Sequence, residues 1–158
     1  MERDVPEVAR ISADLGKRGL VNVLKEEELR KTAKSAGYYV VVARVAAGVG
    51  DTGTWGVGDA DPANDNVLGF AISSYSWGKL HIEEVGVRKD MQGRGIGKKL
   101  IRHLIEHAKE RKLPEVYCEV KEKNAASLRL FFGLGFQERL HIALGADAFY
   151  GLYVPLEA

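Results

Sequence analysis

Hydrophobic positions change their spacing several times along the chain, and each change marks an element. Val5 to Gly16 and Lys25 to Gly37 read as two short helices, the second rich in Glu, Lys and Arg and stopped by Gly37. Tyr38 to Ala46 is dense in Val and Tyr and bounded by glycine, which predicts a strand. Val67 to Tyr75 and Lys79 to Val87 predict two more, joined through Trp77 and Gly78 as a hairpin. Ile96, Leu100, Ile101, Leu104, Ile105 and Ala108 then recur at helical spacing with charged residues between them. Pro114 ends that pattern, Glu115 to Val120 follows as a short strand, and Asn124 to Leu134 as a second amphipathic helix ended by Gly135. Phe136 to Ala143 and Ala148 to Pro155 close the chain as a strand pair.

This order predicts an α/β (α+β) fold, with a mixed, mostly antiparallel sheet flanked by helices. Antiparallel hairpins surround one strand-helix-strand crossover, expected to be right-handed. No repeat or linker divides the chain, so residues 1–158 read as one domain. Between Ala47 and Asn66 lie five glycines, Pro62 and four Asp with no basic residue. That segment reads as a solvated loop; the other reading is a lure for a cationic acceptor, with Trp55 as a contact.

Composition narrows the class. With 46% apolar and 28% charged residues the chain supports a real core. Its apolar runs are too short to span a bilayer and no basic-then-apolar leader opens it, so a cytoplasmic protein without membrane association is expected. Cys118 is alone, which leaves no disulfide and no CxxC metal site, and it reads as a small buried hydrophobe. A net charge of +1 argues against nucleic acid as a partner. Local imbalance says more: Gly93 to Lys112 holds seven Lys or Arg against two Glu.

Those positive charges begin at Gln92-Gly93-Arg94-Gly95-Ile96-Gly97-Lys98, between a strand and the strongest helix. The first turn of a helix has N–H groups without intrahelical partners and a partial positive charge, so it suits a phosphate. Glycines at 93, 95 and 97 keep side chains out of the way, while Arg94, Lys98 and Lys99 add full charges. A literal GxGxxG at Gly48, Gly50 and Gly53 runs into the Asp- and Pro-rich segment rather than a helix, and reads as a chance match. No Walker pattern is present. His103 and His107, four apart on the helix, lack a third ligand and read as part of an exposed polar face, with no metal expected.

The QxxGxG formed by Gln92, Gly95 and Gly97 resembles the acyl-CoA-binding motif of the GNAT family, the Gcn5-related N-acetyltransferases. Asn124, Ser127, Leu128, Phe131, Gly135 and Phe136 resemble the family's NxxA...Y...GF segment. The resemblance implies acetyl-CoA as co-substrate, its pyrophosphate at Gln92, Gly93, Arg94, Gly95, Ile96, Gly97 and Lys98. It further implies a pantetheine arm along Val85, Gly86 and Val87, held by Asn124 and seated near Phe131, where the two strands around the crossover helix splay apart. The acceptor is then an amine-bearing small molecule or a peptide, with a protein N-terminus or lysine as alternatives. Two departures stand out: the family's first strand is either absent or replaced at the sheet edge, and Phe131 stands where members often have tyrosine.

An amine attacks a thioester only when neutral, so a base or a desolvated pocket is needed. Strand alternation puts His81, Glu83, Val85 and Val87 on one side and Ile82, Glu84 and Gly86 on the other, unless a bulge turns Glu84 inward. Glu83 is the first candidate base and His81 the second. Phe131 has no proton to give, and Tyr150 or Tyr153 of the last strand are candidate stand-ins. A non-catalytic acyl-CoA-binding or regulatory domain is the rival reading. The final strand pair is a candidate homodimer surface.

Overall fold

A computed structural model describes residues 5–16, 25–45, 55–58 and 67–157. Its elements are α1 (Val5–Gly16), α2 (Glu26–Lys34), β1 (Tyr38–Val45), β2 (Trp55–Gly58), β3 (Val67–Ser76), β4 (Lys79–Val87), α3 (Ile96–Glu110), β5 (Glu115–Lys121), α4 (Ala125–Phe132), β6 (Gln137–Leu144) and β7 (Asp147–Pro155), with a short 3₁₀ turn at Lys89–Met91. The seven strands form one sheet in the order β2-β1-β3-β4-β5-β7-β6. Among the described residues only β4 and β5 pair in parallel, across the α3 crossover, so the mixed, mostly antiparallel sheet expected from the sequence is the one observed.

Two apolar cores sandwich the central strands. On the first face Val5, Val8, Ile11 and Leu15 of α1 and Leu29 of α2 meet Val42, Phe70 and Ile72. On the second face Leu100, Ile101 and Leu104 of α3 meet Val41, Ala71, Leu80, Val116 and Leu152. Burial on both faces explains why β1 and β3 are almost continuously apolar rather than alternating.

One expectation is corrected here. The Ala47 to Asn66 segment is not loop throughout: Trp55–Gly58 forms β2 and pairs antiparallel with β1 from Val42↔Gly58 to Val45↔Trp55. This short strand occupies the sheet edge beside β1, where the resemblance left open whether a first strand was absent or replaced. The remainder of that segment, with Gly48, Gly50 and Gly53, lies outside the described residues.

The β3–β4 hairpin turns on Trp77 (φ 54) and Gly78 (φ 71). Two successive positive φ values give the mirror-image turn whose twist matches the strands it joins. Within the hairpin the register slips: Ile72 pairs with Glu84 and Ser73 with Ile82, which leaves Glu83 as the extra residue of a bulge.

A candidate acyl-transfer cleft

The bulge changes which residues of β4 face which helix. Leu80 and Ile82 point into the core under α3. After the extra residue, Glu84 accepts a hydrogen bond from Ser12 Oγ of α1 at 3.2 Å, and a Cβ placed on Gly86 would meet Phe70 at 2.4 Å and Leu15 at 3.1 Å. Val85 and Val87 return to the α3 core. The simple alternation expected for β4 therefore fails at Glu83, and the neighbouring carboxylates separate: Glu84 is 8% exposed, whereas Glu83 is exposed and accepts a 2.5 Å hydrogen bond from Ser74 Oγ.

The parallel pairing of β4 with β5 is confined to Leu80↔Val116, His81↔Tyr117 and Ile82↔Cys118. Beyond that point the strands part and a cleft of about 290 Å³ opens between them. Its walls are His81, Glu83, Glu84 and Val85 from β4, Cys118, Glu119 and Lys121 from β5, Asn124, Ser127 and Phe131 from α4, and Phe149 from β7. His81 stands at the mouth, where its Nε2–H donates to Glu119 Oε2 at 2.6 Å and its ring stacks on Tyr117 at 4.5 Å. The bond from His81 is the main reason that the Glu119 carboxyl is held below its ordinary value.

Glu84 is the carboxylate of the cleft that burial alters most. Burial raises its carboxyl to about 7, the nearby Glu83 charge adds to the rise, and the Ser12 bond opposes it. Burial likewise pushes the Cys118 thiol up, with Glu119 reinforcing it, so Cys118 stays protonated and offers no thiolate nucleophile.

At the far end of β4 the glycine turn takes the form its sequence requires. Gly93 (φ 78) and Gly95 (φ 81) are left-handed, and Gly95 is the N-cap of α3. The first α-helical bond after the cap runs from Lys99 N to Gly95 O at 3.1 Å, so the N–H groups of Ile96, Gly97 and Lys98 precede any such partner. Gln92 Nε2 donates to Val87 O at 3.1 Å and ties the turn to the end of β4. Gly97 lets α4 approach: a Cβ there would sit 3.2 Å from Leu130. Arg94, Lys98 and Lys99 are exposed at the rim.

Asn124 caps α4, its Oδ1 accepting from Ser127 N at 3.2 Å, and the cap leaves the side-chain NH₂ as the donor it can offer the cleft. Phe131 is 5% exposed and packs edge-on against Phe136. Of the two candidate stand-ins for a tyrosine, neither lines the cleft. Tyr150 stacks on His141 and packs against the α3 core, and Tyr153 bonds Gln137 Oε1 under the Arg139 guanidinium.

His103 and His107 also differ from expectation. They face the sheet rather than solvent: His107 stacks on Tyr39 at 3.6 Å and meets Tyr75 Oη at 2.6 Å, while His103 meets Tyr39 Oη at 3.0 Å. Among the described residues no group of three His, Cys, Asp or Glu side chains is gathered to hold a metal, and no described helix is long and apolar enough to cross a membrane.

Sequence reasoning overlooked Ser12, Glu119, Lys121 and Phe149. Alternation on β5 placed Glu119 and Lys121 with Tyr117 and was a usable signal. Ser12 joins the site only through tertiary packing of α1, and no local pattern marks it.

The structure thus brings together a glycine-capped helix N-terminus and, on the strand that leads to it, a buried carboxylate at the point where that strand parts from its parallel neighbour. The acetyltransferase (GNAT) family model matches residues 24–136, and the chain belongs to that family. Relatives include the ribosomal protein bS18-alanine N-acetyltransferase of Salmonella typhimurium, 34% identical over 76 residues, 48% of this chain and 51% of that one. The streptothricin acetyltransferase of Streptomyces lavendulae is 37% identical over 101 residues, 60% of this chain and 53% of that one. The chain thus spans about half the length of the curated relatives it matches. The crystal structure of a ribosomal-protein-alanine N-acetyltransferase from Brucella melitensis shares the fold with a TM-score of 0.73 at 21% identity, covering 99% of this chain and 96% of that one.

Proposed function

We propose that this chain transfers an acetyl group from acetyl-CoA to a primary amine by direct attack in a ternary complex, with Glu84 as the base. The observation that carries this reading is the enclosure of Glu84 where β4 and β5 part, with its carboxyl raised to about 7. A base of that strength is ionised near neutrality yet basic enough to accept a proton from an ammonium group. Family membership and the names of the relatives support the reaction class.

The parts divide as follows. The N–H groups of Ile96, Gly97 and Lys98 and the charges of Arg94 and Lys98 hold the donor's pyrophosphate, where Gly93 and Gly95 present no side chain. Gln92 fixes that turn to Val87. The edge of Val85, Gly86 and Val87, which has no β5 partner among the described residues, pairs with the pantetheine arm, and Asn124 and Phe131 close its other side. The amine enters past Glu83 and Glu119, gives one proton to Glu84 and attacks the thioester carbonyl. The tetrahedral adduct expels the thiolate, and the second proton leaves the new amide nitrogen through Glu84 once it has re-ionised. Glu83 and His81, the candidates favoured by sequence, stand outward of Glu84 and pass the proton toward solvent. Phe131 supplies none to the departing sulfur, but a thiol with pKa of about 8.5 leaves as thiolate without one.

Thiol release from acetyl-CoA, followed with a panel of amines and peptides, tests the reading. Wild-type kcat/KM rises with pH through a limb near 7, because the base works only when ionised. Glu84→Gln lowers kcat/KM by about 10² to 10⁴ and removes that limb. An unchanged rate removes Glu84 as the base. Coenzyme A binding with no turnover on any amine favours the rival reading, a non-catalytic acyl-CoA-binding domain.

A further inference from the structure

The cleft does not end at its mouth. Residues paired across β5, β7 and β6 share a face, and on the first face these are Glu119, Gly151 and Leu140, then Lys121, Phe149 and Ile142. Beyond them Leu144 pairs with Asp147. Leu140, Ile142 and Leu144 are 41%, 43% and 63% exposed, an unusual concentration of aliphatic surface for one strand. A Cβ on Gly151 would lie 2.8 Å from Leu140 Cγ, so Leu140 lies across Gly151 toward Glu119. Phe149 belongs to both features: it lines the cleft and is the neighbour of Ile142.

Resting on the transferase reading, we propose that the acceptor is an extended peptide that presents its α-amine to the cleft and lays apolar side chains on the strip of Leu140, Ile142, Leu144 and Phe149. Four considerations support this occupant. The strip is continuous with the cleft, where the carboxylates of Glu83 and Glu119 complement an incoming ammonium, while the Lys121 ammonium, which lies 6.0 Å over the Phe149 ring, is countered by Asp147 at 3.9 Å. Adjacent strands lie about 4.8 Å apart, so β5 to β6 is roughly 10 Å, the advance of about three extended residues; a small amine does not reach. The aliphatic side chains stand on the sheet face rather than along the free edge of β6, and on the opposite face β6 carries Glu138, His141 and Ala143. That arrangement suits a ligand lying over the face better than a second copy pairing with the edge. An α-amine also suits the base: at pH 7 roughly one in ten is neutral, against fewer than one in a thousand lysine side chains.

Two peptides decide the matter, one with Leu or Ile at positions two to four and one with Asp there, each free or acetylated at its N-terminus and each with an internal lysine. Wild-type protein prefers the apolar peptide by about tenfold in kcat/KM, mostly through KM, and leaves the blocked peptides unmodified. Ile142→Lys abolishes that preference or turns it toward the Asp peptide, and Ile142→Ala reduces it by a smaller factor. Ile142 is half-exposed on an edge strand, and matching melting curves verify that both variants fold. Equal rates with both free peptides overturn the proposal, as does a preference that survives Ile142→Lys. Acetylation of blocked peptides overturns the choice of an α-amine. A wild-type dimer in sedimentation that Ile142→Lys dissociates, with preference intact, assigns the strip to a second copy and overturns the peptide. Turnover of small amines but neither peptide removes this inference alone; no thiol release with any amine removes the transferase reading beneath it.

Discussion

Trp77 is 94% exposed and sits at φ 54, a region that costs a bulky L-residue roughly 1 to 2 kcal/mol. Its ring recovers none of that by burial, because it packs on almost nothing. Asn tolerates the same backbone region, and Asn-Gly is the pair that this turn favours. Trp77→Asn is therefore expected to stabilise the fold by about 0.5 to 1 kcal/mol, read as a higher urea midpoint at unchanged slope. A fall in the midpoint would show that Trp77 makes contacts that its exposure hides. The same scale explains Glu84, which differs from Glu83 in nothing but position. The sequence did carry a trace of the difference: apolar residues occupy even positions at Leu80 and Ile82 and odd ones at Val85 and Val87, so the alternation changes phase at the bulge. What no local pattern carried was Ser12, whose hydroxyl reaches Glu84 from 72 residues away in sequence.

Among the elements, α3 was the most legible, and for a physical reason. Its start requires left-handed backbone at Gly93 and Gly95, a demand that only glycine meets cheaply, so the geometry is written in residue identity. Gly95→Ala is expected to cost about 1 kcal/mol by forcing a Cβ into that region, with Gly95→Asn costing less. Chemical denaturation of the two variants measures the order, and equal losses would mean that the cap does not depend on handedness. The role of Gln92 was visible as part of a motif, but its bond to Val87 O needed coordinates. β2 was missed because Trp55–Gly58 has little strand signal of its own and exists as a strand by pairing with the edge of β1. His103 and His107 misled because their helix face is polar in sequence; Tyr39 and Tyr75 of the sheet make that face a partly buried contact.

For the whole molecule, the parting of β4 and β5 demands that their paired end hold firmly, since only three residue pairs join them. A cross-strand staple reinforces that end. Glu115 of β5 accepts both Arg139 nitrogens, at 2.7 and 2.8 Å, and lies 3.0 Å from Lys79 Nζ of β4. Arg139 is the skipped residue in the β6–β7 register, and it crosses Tyr153 of β7 at 4.0 Å to reach Glu115. The bonds from Arg139 first, and Lys79 with them, hold the Glu115 carboxyl down at about 2. A carboxyl depressed in the folded state stabilises fully above its unfolded value, near 4.5, and loses that contribution as pH falls toward 2. Glu84 runs the other way: its raised carboxyl favours the fold below the unfolded value and loses that advantage as pH climbs through about 7. Stability should therefore peak between these limbs and fall on both sides. Glu115→Gln is expected to flatten the acid limb between pH 4.5 and 2 and to cost about 1 kcal/mol at neutrality, a modest figure because Arg139 is solvent-exposed. Glu84→Gln should flatten the limb near 7 and leave the acid one in place. Urea titrations of the three proteins across pH separate the two limbs. A smaller acid limb remains after Glu115→Gln, because the carboxyls of Glu7, Asp90, Glu119 and Asp147 are also held down by their partners, and an acid limb unchanged in size would mean that the Glu115 staple contributes nothing to the fold.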